Sequence, residues 1–126
     1  MKKIISTTAA PAAVGPYSQA VKAGNFIFTS GQLPMDPATG SFVEGGVEQQ
    51  AEQVLKNVKA VLEAAGYSMA DVIKATVFAT SMGDFAAVNG VYAKFFGKEP
   101  PARSFVEVSA LPRAALVEIE VVAWKE

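Results

Sequence analysis

The segment from Leu116 to Trp124 constrains the fold most, because its side chains alternate with the period of a β-strand. One face is wholly apolar and comprises Val117, Ile119, Val121 and Ala123. The other face mixes apolar side chains with two carboxylates and comprises Leu116, Glu118, Glu120, Val122 and Trp124. The first face suits a hydrophobic core, whereas the second is too apolar for water and too charged for the core of one chain.

The preceding strand, residues 103–108, has the same two-sided character. Two sets of side chains alternate along it, namely Arg103, Phe105 and Glu107 against Ser104, Val106 and Val108. We assign the set that contains Arg103 to the mixed face of residues 116–124. A sheet face that combines Phe, Leu and Trp with Arg and Glu predicts an oligomer with polar pockets between its subunits.

Four more strands are predicted from runs of strand-forming residues bounded by turn signals. They are residues 3–6, 18–23, 25–30 and 72–80, and a hairpin turn at Gly24-Asn25 joins the second to the third. The Gly and Pro residues between Gly31 and Gly46 predict one long loop.

Apolar residues at helical spacing predict two helices. The first begins at Val47 and stops at Gly66, and the second runs from Asp84 to Phe96 and stops at Gly97. The order is therefore β-β-β-α-β-α-β-β. Since 126 residues leave no room for a second core, we predict a single domain over residues 1–126 of class α+β, with a six-stranded mixed sheet and both helices on one face.

The chain contains neither cysteine nor histidine, which limits its chemistry. A disulfide framework, a thiolate nucleophile, a Ser-His-Asp triad and the usual zinc sites are excluded. Proton transfer must therefore come from Asp, Glu, Lys or Tyr. No P-loop and no G-x-G-x-x-G motif occurs, so we expect no metal and no cofactor.

The charge balance argues against a polyanionic partner. With 11 Lys and Arg against 12 Asp and Glu, the net charge is -1, and the basic surface of a nucleic-acid-binding protein is missing. No apolar run approaches the ~20 residues of a membrane-spanning helix. The polar residues Ser6-Thr7-Thr8 stand where a secretion signal would continue apolar. We expect a soluble, cytoplasmic protein that binds neither nucleic acid nor membrane.

Two charged residues are candidates for chemistry. Arg103 presents a planar guanidinium that matches a carboxylate, although a structural salt bridge with Glu107 or Glu118 would explain it equally well. Glu118 would be a proton acceptor if burial near Trp124 raises its pKa, and a structural partner if Arg103 lowers that pKa. Glu120 is its rival on the same face.

Two loop elements are candidates for contact with a small planar substrate. Tyr17 follows Gly15-Pro16, where its ring would stack on a substrate or close an edge of the core. The stretch Thr29-Ser30-Gly31-Gln32 would present backbone N–H groups to an anion or form a plain turn.

The stretch Pro101-Ala-Arg-Ser-Phe-Val-Glu-Val-Ser-Ala-Leu-Pro112, followed by Val117-Glu118-Ile119-Glu120, resembles the signature of the Rid/YjgF family of reactive-intermediate deaminases. Agreement extends to Pro11 through Tyr17, Thr29 through Gln32, Asn57-Val58, Asp84-Phe85 and Val88-Asn89. The resemblance covers essentially the whole chain. It implies a chorismate-mutase-like fold and a homotrimer in which three sheets form a central barrel, with clefts between the subunits.

The resemblance also implies an activity, the hydrolysis of 2-imino acids and their enamine tautomers to 2-oxo acids and ammonia without a cofactor. At matching positions, Arg103 would hold the substrate carboxylate, and Glu118 would position water or shuttle a proton. The other substrate contacts would be Tyr17, Ser30, Gly31, Asn89 and Phe105.

Two features depart from the family pattern. Phe105 stands where many members carry Cys, and the connection from Phe96 to Arg103 is shorter than usual. Both would change which substrate side chain fits, so we expect Phe105 to alter specificity rather than abolish the reaction.

Two other functions remain as alternatives. A non-catalytic trimeric sensor of 2-oxo acids or similar small carboxylates would use the same clefts, but it would need Arg103 more than Glu118. The ribonuclease role attached to some relatives fits poorly with a net charge of -1 and no histidine.

Overall fold

The chain forms eight β-strands and two α-helices, and the computed structural model describes residues 1–126. The strands are β1 (Lys3–Ile5), β2 (Ala20–Ala23), β3 (Phe26–Thr29), β4 (Met35–Asp36), β5 (Ser41–Phe42), β6 (Val72–Ala79), β7 (Ala102–Glu107) and β8 (Val117–Trp124). The helices are α1 (Val47–Ala64) and α2 (Phe85–Phe96). Single 3-10 turns occur at Met69–Asp71, Met82–Asp84 and Pro112–Ala114.

Six of the strands form one sheet in the order β1-β2-β3-β8-β6-β7. Neighbouring strands are antiparallel except β6 and β7, which run parallel because α2 connects them as a crossover. Both helices contribute to a single hydrophobic cluster with one face of this sheet. The predicted α+β class, with two helices on a six-stranded mixed sheet, is confirmed.

The core lies between α1 and the apolar face of β8. Val117, Ile119 and Ala123 are completely buried and Val121 is 2% exposed. The side chains of α1 that pack in the same cluster are also completely buried, namely Val54, Leu55, Val58, Val61 and Leu62. Burial of each such side chain contributes roughly 1.5–3 kcal/mol. The apolar face predicted for the last strand is therefore the one that the fold buries.

Glycines mark both ends of α1. At its start, the Gly46 N–H donates to Oε1 of Gln49 at 2.9 Å, which satisfies one of the donors that a helix N-terminus leaves free. Past its end, Gly66 has a φ of 79°, the left-handed conformation that commonly ends helices. Neither helix is long and apolar enough to cross a membrane.

Two buried polar side chains of α1 attach neighbouring segments to the helix. Asn57 Nδ2 donates to the carbonyls of Leu33 and Met35 at 3.0 and 2.9 Å. Gln50 Oε1 accepts the Leu116 N–H at 2.8 Å. The chain before β4 and the chain before β8 therefore both depend on one helix for their position.

The region 31–46, predicted as one long loop, contains the two-stranded ribbon of β4 and β5. Met35 pairs with Phe42, and Asp36 pairs with Ser41. Strands of two residues are too short to show a period of two, so the prediction of a continuous loop was wrong here.

The register of the sheet corrects the face assigned to Arg103. Phe105 pairs with Val77, which pairs in turn with Ile119, so Phe105 lies on the face that packs against the helices. Arg103, two residues earlier, lies on that face too, whereas Glu118 lies on the opposite one. The assignment failed because alternation within each strand does not say which set faces which in the neighbouring strand.

The sheet face turned away from the helices, here called the outer face, carries the carboxylates of β8. Large apolar side chains share it and are substantially exposed, namely Phe28 (48%), Phe26 (41%), Val106 (40%) and Trp124 (39%). The chain therefore leaves these apolar side chains of the outer face partly exposed.

Candidate functional site

A cavity of about 440 Å³ lies where the chain leaves β3 and passes the start of β8. Its lining includes four of the residues predicted for the site, namely Tyr17, Ser30, Gly31 and Glu118. The volume falls within the range of small-molecule sites, roughly 300–1,000 Å³. One subunit therefore assembles this group of predicted residues by itself.

A bulge between β3 and β8 shapes the cavity wall. Phe28 pairs with Val122, whereas Gln32 bridges Ile119, so one strand holds one more residue than its partner over this stretch. Such a bulge re-aims the side chains beside it and is frequent next to active sites. Here the bulge brings the backbone between Phe28 and Gln32 against the side chain of Glu118.

Gly31 is the residue that this bulge places against Glu118. A β-carbon at position 31 would overlap the Glu118 carboxylate, with only 2.7 Å to its Cδ. The φ of Gly31 is not positive, so close approach rather than backbone conformation requires glycine here. Gly31 therefore provides the space that the Glu118 side chain occupies.

The pKa of Glu118 is raised above its ordinary value, first by burial and second by the charge of Glu120. The two carboxylates are two residues apart on β8 and share the outer face. Since Arg103 lies on the other face of the sheet, it does not lower this pKa. Of the two expectations for the pKa of Glu118, the structure therefore agrees with the one in which burial raises it.

One buried side chain, Gln19, fixes the loop that carries Tyr17. Gln19 is 4% exposed, and its Nε2 donates to the carbonyls of Thr7, Ala10 and Pro11 at 3.0, 3.3 and 2.8 Å. Its Oε1 accepts the Thr7 N–H at 2.7 Å. The Tyr17 ring is half exposed and its hydroxyl accepts a backbone N–H of the same loop at 3.3 Å. Hydrogen bonds within the chain therefore fix the course of this loop.

Arg103 occupies a second cluster, built mainly by α2. Its Nη1 donates to Oδ1 of Asn89 at 2.8 Å. Its Cζ lies 4.8, 5.3 and 5.6 Å from the ring centroids of Tyr92, Phe105 and Phe85, within the range of cation–π attraction. Phe85 and Phe105 also pack on each other at 4.8 Å. Three aromatic rings and one amide therefore hold the guanidinium.

Neither salt bridge considered for Arg103 is made. Glu107 instead accepts the Met82 N–H at 2.7 Å, and Glu118 is on the other side of the sheet. The guanidinium is therefore held without a carboxylate partner, and most of its N–H donors are free for an anion.

Tyr92 of α2 lies beside Arg103 and was not among the predicted site residues. It is 6% exposed, and its hydroxyl is the one buried side-chain polar atom without a hydrogen-bond partner. Burial raises the pKa of Tyr92, and the nearby Arg103 charge opposes that rise. Its position three residues after Asn89, on one helix face, is the sequence signal that could have revealed it.

The seven predicted site residues thus separate into two groups. Tyr17, Ser30, Gly31 and Glu118 line the cavity, whereas Arg103, Asn89 and Phe105 form the aromatic cluster on the helix-packed face. One subunit does not bring the groups together. Sequence reasoning also missed Gln19, Phe85 and Arg113, and no group of three or more acidic side chains converges as a metal site would require.

The chain matches known proteins over nearly its whole length. The family model described as Endoribonuclease L-PSP matches residues 7–125. The chain belongs to this family, which includes the Rid, YjgF and RutC proteins. The resemblance seen in the sequence is therefore confirmed.

Three relatives illustrate the range of the family. A RutC family protein of Pyrococcus horikoshii is 58% identical over 126 residues, which is 100% of both chains. The 2-iminobutanoate/2-iminopropanoate deaminase of Capra hircus is 50% identical over 123 residues, covering 98% of this chain and 90% of the relative. The crystal structure of E. coli TdcF with bound serine has a TM-score of 0.94 and 46% identity, and the match covers 98% of this chain and 99% of that one.

Proposed function

We propose that this protein hydrolyses 2-imino acids to 2-oxo acids and ammonia. The observation that carries the proposal is the Glu118 carboxylate, held against Gly31 in a cavity of small-molecule size with its pKa raised. The name of the goat relative, at 50% identity, supports the same substrate class. The serine bound to TdcF supports a site suited to a small amino-acid skeleton.

The active site is formed between two subunits of a homotrimer. The exposed apolar outer face gives the reason for assembly, because burying such a face removes it from water. The separation of Arg103 from Glu118 gives the reason for a shared site, since a substrate that contacts both needs one residue from each subunit. Sedimentation at micromolar concentration measures the assembly, and a stable monomer would contradict it.

Each residue has a distinct part in the reaction. The guanidinium of Arg103 binds the substrate carboxylate through paired hydrogen bonds, and Tyr17 packs on the planar imine. Glu118 takes a proton from water as the water oxygen bonds to the imine carbon, and it passes a proton to the nitrogen. The hydroxyl proton of the carbinolamine then passes to the nitrogen by way of Glu118, and ammonia leaves as the C–N bond breaks and the carbonyl forms. This sequence of steps needs no cofactor.

The test compares two carboxylate variants in an assay in which an amino-acid oxidase produces 2-iminobutanoate. Glu118→Gln keeps the shape of the side chain but removes proton transfer, so we expect kcat to fall about 10²–10⁴-fold. Glu120→Gln is the matched control on the same strand face, and we expect less than about a threefold change.

The outcome also separates an enzyme from a sensor. Equal rates for the parent and for both Gln variants, all above buffer, would remove the catalytic role of Glu118. A parent that binds 2-oxobutyrate in calorimetry but gives no acceleration over buffer would be a sensor of small carboxylates.

A further inference from the structure

Arg113 lines the same cavity as Glu118, in the 3-10 turn Pro112–Ala114 that leads into β8. It is one of only two arginines in the chain. The reaction proposed above assigns it no part, because Arg103 binds the substrate carboxylate. A guanidinium that lines the cavity beside Glu118 therefore needs an explanation of its own.

The backbone at Arg113 is in an unfavourable conformation. Its φ and ψ are 56° and 30°, and Ala114 follows with a φ of 60°. Residues with a β-carbon avoid this left-handed region, and two in succession are rarer still. Such conformations concentrate at ligand sites, where they point a side chain in a required direction. Asn or Gly at either position would relieve the strain, yet the chain carries Arg and Ala.

The charge of Arg113 is not neutralised by the cavity's own carboxylate. Its Cζ lies 5.5 Å from the centroid of the Phe42 ring in β5, which holds the side chain by cation–π attraction. The pKa of Glu118 is raised by burial and by the charge of Glu120, and Arg113 does not lower it. The guanidinium is therefore positioned by an aromatic ring, and its N–H donors stay free for an anion.

We propose that Arg113 is a specificity-determining residue that binds a second anionic group, so that the site takes 2-imino acids with a carboxylate in the side chain. The proposal rests on the hydrolytic function above. Arg103 binds the carboxylate next to the imine, and Arg113 binds the distal one by the same paired hydrogen bonds. The cavity of about 440 Å³ that Arg113 and Glu118 both line has the size of a small-molecule site.

The experiment compares three proteins on two imines. The substrates are 2-iminobutanoate and 2-iminoglutarate, each produced in the assay by an amino-acid oxidase. The proteins are the parent, Arg113→Gln, and Lys125→Gln as a matched control. Lys125 is also an exposed cation beside an aromatic ring, 5.7 Å from Tyr67, but it does not line the cavity.

We expect Arg113→Gln to lower kcat/KM for 2-iminoglutarate about tenfold or more, and to change kcat/KM for 2-iminobutanoate less than about twofold. Lys125→Gln should change neither. An equal loss on both substrates, or no loss on 2-iminoglutarate, would overturn the role of Arg113 while leaving the hydrolytic function intact.

Calorimetry with 2-oxoglutarate and 2-oxobutyrate separates failure of this inference from failure of the hydrolytic function. A parent that hydrolyses neither imine contradicts the hydrolytic function. In that case the binding data alone test whether Arg113 contacts a second anionic group. Weaker binding of 2-oxoglutarate only, in Arg113→Gln, supports the second anion contact. Unchanged binding of both acids contradicts it.

Discussion

The Arg103 cluster and the Glu118 cavity hold opposite charges by opposite means. The guanidinium rests on side chains of α2 and β7, among three rings and the Asn89 amide. The carboxylate rests against the backbone of Gly31, in a wall built from loops and a bulge. The Arg103 cluster therefore depends on side-chain packing, and the Glu118 cavity depends on the path of the main chain.

This difference has a chemical consequence. Aromatic rings stabilise a cation without neutralising it, so Arg103 remains charged and unpaired. The Glu118 carboxylate instead has partial burial and a like charge beside it, which make its ionised form less stable. These two environments suit the roles proposed for Arg103 and Glu118, which are to bind an anion and to accept a proton.

The strongest test of this division mixes two inactive variants. Arg103→Ala removes one half-site and Glu118→Gln removes the other, so each alone should lose activity at least about 100-fold. If each site takes one half from each of two neighbouring subunits, randomly mixed trimers should recover about a quarter of the parent rate. The measurement is the rate of imine hydrolysis after the two proteins are unfolded and refolded together.

One result of the mixing experiment would contradict a site shared between two subunits. A rate no higher than the mean of the separate variants would place both groups in one subunit. Each variant refolded alone provides the control for losses on refolding.

Arg103→Lys tests the geometry of the cation rather than its charge. A Lys ammonium would keep cation–π contact with the rings but could not form paired hydrogen bonds. We expect kcat/KM to fall about 100-fold, or ~2.7 kcal/mol. Steady-state kinetics with 2-iminobutanoate measure this loss, and parental kinetics would show that any cation suffices.

Gly31→Ala tests the main-chain half of the site. The new methyl group would displace the Glu118 carboxylate, and we expect kcat to fall about tenfold because catalytic groups must lie in place to about an ångström. Gly90→Ala in α2 is the matched control, since a β-carbon there meets nothing within 4 Å. That control should stabilise the fold by about 0.5–1 kcal/mol. Equal kcat in both variants would show that the Glu118 carboxylate can move away from the new methyl group without loss of activity, which would contradict the prediction.

The smallest effect concerns stability and pH. Because the folded-state pKa of Glu118 is raised above 4.5, protonated Glu118 favours the folded state, and this contribution is lost as the pH rises through the folded pKa. Glu118→Gln cannot ionise and does not lose it. We expect its Tm to exceed that of the parent at pH 7 and to match it below about pH 4. Thermal unfolding across this range measures the difference in Tm. A lower Tm for Glu118→Gln than for the parent at pH 7 would show that ionised Glu118 stabilises the fold, contrary to the prediction.

The parts of the molecule that were predictable are those with a local periodic signal. The apolar stripe of α1 and the alternation of β8 each repeat several times, so hydrophobic burial alone determines their faces. Glu118 and Glu120 share the mixed face of β8, so the alternation left them as rivals, and only the family resemblance favoured Glu118. The ribbon of β4 and β5 has no repeat, and its position depends on contacts such as those of Asn57.

The division of the site was not predictable for a different reason. The face of Arg103 depends on the register of β7 against β6, and register is a property of paired strands rather than of either strand alone. The partners of Arg103 on α2 are likewise distant along the chain, with Asn89 lying 14 residues before it. Sequence spacing says which residues share an element, but not which elements meet.

The hydrogen bonds of Gln19 bear on how this protein can change over time. All of them end on main-chain atoms of Thr7, Ala10 and Pro11. Every amino acid supplies a carbonyl oxygen, and every one except proline supplies the N–H that position 7 donates. The side chains of that loop can therefore be exchanged without altering its course, provided that Gln19 stays. Gln19 and Pro11 line the cavity themselves, but Ala12 and Val14 of the same wall make none of these hydrogen bonds with Gln19. Variation at those two positions is therefore open to selection at little cost in folding.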